Sequence, residues 1–149
     1  MKLELLRHPL REGRAPTIFG DGEQQRAFTH INDVAPLIAE SVDLPAARNQ
    51  IFNVGADVPF TVNHLAGAVA DAMGLACQVS HLEPRKEVKS AFSDHSKAER
   101  VFGKRRKTLL DEGLRAMAAW VKAHGARSSG VFGSIEIFKN LPPSWAHAS

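Results

Sequence analysis

Gly20-Asp21-Gly22-Glu23-Gln24-Gln25-Arg26-Ala27-Phe28 is the stretch on which the reading of this chain turns. Two glycines around an aspartate make a strong turn signal, because glycine accepts a left-handed backbone and aspartate bonds the N–H groups that follow it. The turn closes a short extended run, Pro16-Thr17-Ile18-Phe19, and opens a polar loop in which Arg26 stands before Ala27-Phe28. A planar guanidinium in such a loop can meet phosphate oxygens through two parallel hydrogen bonds. On the bare residues, an arginine after a glycine-rich turn is more often a solvated surface group.

Working outward, Val34, Leu37, Ile38 and Val42 recur at helical spacing, with Asn32 or Asp33 as cap and Pro36 tolerated in the first turn. Gln50-Ile51-Phe52-Asn53-Val54, followed by Gly55, reads as a short buried strand. Thr61 then caps a helix carrying Val62, Leu65, Ala66, Val69, Ala70 and Met73, and Gly74 sits where a left-handed C-terminal residue is wanted. Residues 76–82 form the next strand candidate, and 94–102 a short helix ending at Gly103. Thr108-Leu109-Leu110-Asp111 suggests a capping box for a last helix through Leu114, Met117, Ala118 and Val121 to Gly125, with Trp120 in the core. Gly113 inside that helix costs roughly 1 kcal/mol against alanine. At the ends, Leu3 to Leu10 reads as the tail of a helix, and Val131 to Phe138 alternates loosely before Asn140-Leu141-Pro142-Pro143-Ser144-Trp145, a tail expected to lie on something. The sum is an α/β chain, a small α+β domain of 149 residues, with 1–128 as core and 129–149 as a tail packing on the core or on a partner.

Composition narrows the function classes. An apolar fraction of 44% and a charged fraction of 23% are those of a globular protein. Cys77 stands alone, which excludes an intramolecular disulfide and fits a reducing, cytoplasmic setting. No apolar run reaches the roughly 18 residues of a membrane span, and Met1-Lys2-Leu3-Glu4 lacks the apolar core of a signal peptide. With 19 basic against 16 acidic residues, general attraction to polyanions is weak.

The Gly20–Phe28 stretch resembles the GDGxQxRxF segment of NAD-dependent nucleotide-sugar epimerases and dehydratases of the UDP-glucose 4-epimerase type, in the extended short-chain dehydrogenase/reductase family. Glu83-Pro84-Arg85-Lys86-Glu87-Val88 and Asp94-His95-Ser96-Lys97-Ala98 resemble that family's Arg-Pro-Gly-Glu/Asp-Val loop and Asp-x-Ser-Lys-Ala helix start, and Asn53-Val54-Gly55 its Phe-Asn-Val-Gly strand end. The likeness runs from Arg11 to about Gly125. It implies a UDP-sugar or related nucleotide sugar as ligand, with Arg26 and Arg85 on the diphosphate, Thr17, Ile18 and Phe19 beside the base, Glu87 on the ribose hydroxyls and Asn53 near the nucleotide. Only Lys86 separates Arg85 from Glu87, where the common pattern has two residues, so the ribose contact departs from the family. For Asp94 the bland role of N-cap is preferred.

The same resemblance implies what the chain should lack. The family's catalysis requires a Tyr-x-x-x-Lys pair and NAD held by a glycine-rich turn on a Rossmann sheet, yet this sequence contains no tyrosine and no such turn after an early strand. The expectation is the family's carboxyl-terminal, substrate-binding half, inactive alone, with no catalytic residue and no cofactor of its own. NAD is expected only with a complementary Rossmann half on a separate chain. The strand at 50–54 would then lack its sheet neighbour, which suggests a homodimer or the tail folded over that edge.

Other classes have less support. Seven histidines include His30, His81 and His95, without a metal-ligand spacing. Serine, histidine and aspartate are present without a nucleophile elbow, so hydrolase chemistry has no specific signal. Lys104-Arg105-Arg106-Lys107 is compact and basic but lacks interleaved aromatics, and a solvated loop explains it better than nucleic-acid binding. An interaction module that keeps the fold without binding ligand is the main alternative.

Overall fold

The computed structural model describes residues 16–125, and the expected helix tail at 3–10 and the C-terminal tail lie outside them. The chain order is β1 (Thr17–Phe19), β2 (Gln25–Ala27), α1 (Ile31–Glu40), a 3-10 turn (Pro45–Ala47), β3 (Pro59–Thr61), α2 (Val62–Met73), β4 (Ser80–Leu82), β5 (Ser90–Ala91), α3 (Ser96–Phe102) and α4 (Leu110–His124). Strands and helices are mixed, as the periodicities predict. β1 pairs in parallel with β4, and β2 lies between antiparallel β3 and parallel β5. The strands of the second sheet, three, three and two residues long, were not visible in the sequence, because at that length no period-2 pattern can accumulate.

The core is built on α2. Val62, Leu65, Ala66, Val69 and Ala70 pack with Ile18 of β1 and Leu114 of α4. Leu65 is fully buried, which stabilises by about 1.5 to 3 kcal/mol relative to exposure. Alanines at 66 and 70 let α4 approach closely, whereas Gly113 on α4 faces the cap of α1. A Cβ there would stand 3.2 Å from the ring of His30, so this glycine makes room for the cap of α1. Thr61 Oγ1 accepts from His64 N at 3.1 Å, and Gly74 takes φ +74°, as the capping pattern predicts.

Several expectations need correction. Gln50 to Val54 is not a strand: the segment is irregular, with Ile51 86% exposed, since no described strand lies beside it. It is held instead by Lys97, whose Nζ donates to Gln50 Oε1 and Ile51 O, both at 3.0 Å, and by Phe52 edge-on to Phe102. Helix α1 starts earlier than expected, capped by His30 Nδ1, which accepts from Asn32 N at 3.3 Å, so Pro36 falls inside it. Its apolar stripe is only half covered, with Ile31 and Ile38 exposed and Val42 beyond its end. The 76–82 strand shortens to Ser80–Leu82. At 94–102 the helix begins at Ser96, with Asp94 one residue before the cap position and its Oδ1 accepting from Ser96 N at 2.8 Å. Leu109, not Thr108, occupies the cap of α4, and Trp120 is half exposed against His124 rather than core.

Thr108 has a different partner. Its backbone N–H and its hydroxyl both donate to Asp33, at 2.9 and 2.8 Å, tying the start of α4 to α1. The basic run is likewise engaged. Arg105 forks onto Glu40, Arg106 pairs with Glu112, and Lys107 reaches Asp57 and Glu99. These contacts hold the carboxyls of Glu40 and Glu112 below their ordinary range, chiefly through the arginine hydrogen bonds.

Candidate functional site

The turn at 20–22 is fixed by residues distant in sequence. Asn63, in the first turn of α2, donates from Nδ2 to Asp21 O at 2.8 Å and to Glu23 Oε1 at 2.7 Å, while its N–H bonds Gly22 O. Gly22 has φ +75°, and a Cβ there would overlap the Asn63 amide. Asp21 Oδ1 accepts from Glu23 N, Gln24 Nε2 donates to Phe19 O, and Ser90 Oγ donates to Gln25 Oε1. Most polar residues of the motif therefore shape the loop. Asn63 is the residue that sequence reasoning missed, since its role depends on where α2 starts.

The result aims Arg26 across the sheet at the 83–91 loop. Its Nη1 donates to Gln25 O at 2.7 Å, and its Nη2 stands 3.5 Å from Glu87 Oε2. From the same loop Arg85 lays its guanidinium over the Phe19 ring, 3.2 Å from the centroid, with Pro84 against Gly20. Arg85 Nε is buried and has no hydrogen-bond partner among the described residues, a donor that costs free energy until an acceptor meets it. The parallel pairing of β1 with β4 and of β2 with β5 is what brings residues 17–19, 26, 85 and 87 together. One guanidinium over an aromatic face and a second paired with a carboxylate suit a ligand combining anionic oxygens with a flat ring.

Not every predicted residue joins this group. Asn53 is exposed in the irregular segment and makes no side-chain hydrogen bond to Arg26, Arg85 or Glu87. Thr17 is exposed on β1, and Ile18 is buried in the core, where it offers only backbone to a ligand. Among the described residues no three histidine, cysteine, aspartate or glutamate side chains gather to share a metal, and no helix is long and apolar enough to cross a membrane.

Comparison with known proteins gives the following likenesses. The profile of the NAD dependent epimerase/dehydratase family matches residues 1–55. A UDP-glucose 4-epimerase of Mycolicibacterium smegmatis is 31% identical over 106 residues, covering 70% of this chain and 34% of that protein. A UDP-glucuronate 4-epimerase of Thermodesulfobacterium geofontis is 29% identical over 114 residues, covering 70% and 32%. The crystal structure of a UDP-glucose 4-epimerase with UDP-glucose from Thermotoga maritima superposes with a TM-score of 0.72 at 28% identity, over 80% of this chain and 38% of that one. The chain spans about a third of the length of the curated relatives it matches. In its mixed α/β order, its Gly20–Phe28 segment and these likenesses, the chain resembles part of the NAD-dependent epimerases and dehydratases of the extended short-chain dehydrogenase/reductase type.

Proposed function

We propose that this chain binds the nucleotide part of a nucleotide sugar, a UDP-sugar first, and is inactive in epimerisation or dehydration by itself. The observation that supports this reading is the convergence of Arg26, Arg85, Glu87 and Phe19 from three separate segments, with a buried Arg85 Nε awaiting an acceptor. Arg26 and Arg85 would take the diphosphate, Phe19 and the backbone of Thr17 and Ile18 the base, and Glu87 the ribose, while Asn53 is the least supported member. The ion pair between Arg26 and Glu87 is loose enough, at 3.5 Å, for each to turn toward a ligand.

The family implies NAD, and the described residues do not fit it. A dinucleotide needs glycines opening a helix N-terminus, whereas Gly20 and Gly22 join two strands and their open sides are filled by Pro84 and Asn63. No tyrosine exists to move the sugar's proton. NAD chemistry would thus need residues beyond the 149 of this sequence. Affinities for UDP, UMP and uridine test the reading: the diphosphate is the anchor, so uridine should bind at least ~100-fold more weakly than UDP. Equal affinities for the three would contradict it.

A second reading rests on the uncovered apolar face of α1 and its neighbours, where Ile31, Ile38, Val42 and Ile51 are exposed. Such a patch favours burial against a second copy or a separate NAD-binding chain. Sedimentation over a hundredfold range of concentration distinguishes the two, since only self-association depends on this chain's own concentration. The pairing of three residues in the 104–107 run weighs against nucleic-acid binding there.

A further inference from the structure

Ser93, His95 and Asp57 stand apart from the Arg26 group and form a connected relay. His95 is 6% exposed, its Nδ1 lies 2.7 Å from Asp57 Oδ1, and its Nε2 lies 3.0 Å from Ser93 Oγ. A carboxylate can only accept, so in the neutral imidazole Nδ1 carries the proton and Nε2 presents its lone pair to the serine hydroxyl. Asp57 is kept ionised, its carboxyl held below the ordinary range first by the Lys107 hydrogen bond and then by that of His95. The ring packs beside Gly55, where an added Cβ would stand 3.2 Å from its Nε2, so only glycine leaves the imidazole uncrowded there. Ser93 is exposed and reachable. This is the connectivity by which a serine hydroxyl is activated, with the correct nitrogen on each partner. Sequence spacing could not reveal it, because Asp57 lies 38 residues before His95.

We propose that Ser93 is an activated nucleophile that accepts acyl groups from small activated carboxylic esters. Ser93 Oγ attacks the carbonyl carbon, its proton passes to His95 Nε2, the new Oγ–C bond forms and the ester C–O bond breaks, and the leaving alcohol takes the proton from His95. Water, deprotonated by the same nitrogen, then releases the acyl group as a carboxylic acid and restores the hydroxyl. Asp57 is a positioning residue that sets the tautomer and offsets the charge of the imidazolium. Charges around the ring are balanced: Asp57 faces it, Lys107 sits on the other oxygen of Asp57, and Asp94 and Arg100 lie on its own side.

The test is covalent labelling of the full chain with a fluorophosphonate, in which the Oγ–P bond forms, fluoride leaves and His95 takes the proton. Peptide mapping should find the label on Ser93 and not on Ser96. The rate should fall about 100-fold in His95→Gln, with a smaller fall in Asp57→Asn. Heat-denatured wild type should not label, which separates activation from mere presence of a serine. Label spread over several serines, a Ser93 rate unchanged in His95→Gln, or no Ser93 label in the folded wild type overturns the proposal.

Discussion

Replacing Asp33 with alanine removes the tie between α1 and the start of α4. Both Asp33 oxygens are used, by the Thr108 N–H at 2.9 Å and the Thr108 hydroxyl at 2.8 Å, across a separation of 75 residues. A hydrogen bond to a charged group contributes about 1.5 to 3 kcal/mol, and the half-buried setting argues for the lower end. Asp33→Ala should therefore cost about 3 kcal/mol in urea unfolding, a large part of the roughly 5 to 15 kcal/mol a domain has. Thr108→Val removes only the hydroxyl and should cost about 1.5 kcal/mol. The double variant should cost about 3 kcal/mol rather than the sum, because Asp33→Ala has already removed that bond. If Asp33 served only as a helix cap, its loss would cost about 1 kcal/mol and would add to that of Thr108→Val. Additivity within about 0.5 kcal/mol would refute the tie.

Other consequences follow from single contacts. Gly22→Ala should destabilise by more than about 1 kcal/mol, since φ +75° is strained for any L residue and the new Cβ would displace the Asn63 amide; thermal melting beside Asn63→Ala checks whether the two share one cost. Asp57 has a depressed carboxyl in the folded chain, so it contributes stability above the unfolded value of about 3.9, lost as pH falls through the folded value. The difference in melting temperature between wild type and Asp57→Asn should accordingly shrink below about pH 4. Leu65→Ala should cost about 2 to 5 kcal/mol, because the residue is fully enclosed between α2, β1 and α4.

What was legible in the sequence was what depends on local pattern. The cap at Thr61, the left-handed Gly74, the span of α2 and the turn at Gly20–Gly22 all follow from propensities that act within a few residues. Non-local contacts were hidden. Asp33 reads as a cap because its real partner lies 75 residues away, and Arg105 and Lys107 read as solvated because Glu40 and Asp57 sit on other elements. The apolar, β-prone run at 50–54 misled for a different reason, since strand propensity has no effect where no neighbouring strand supplies hydrogen bonds. At the candidate site the resemblance supplied the residues, and the sheet register explains why Arg26, Arg85 and Glu87 meet while Asn53 stays apart.

The central claim is that the nucleotide site persists in this chain, and calorimetric titration with UDP-glucose in the absence of NAD tests it most directly. Wild type should bind, and Arg26→Ala combined with Arg85→Ala should weaken binding at least ~100-fold, as two charge-assisted contacts of roughly 1.5 kcal/mol or more require. Circular dichroism of the double variant should match wild type, since neither arginine lies in the core. No heat of binding to wild type at millimolar ligand, or equal affinity in the folded double variant, would contradict the claim.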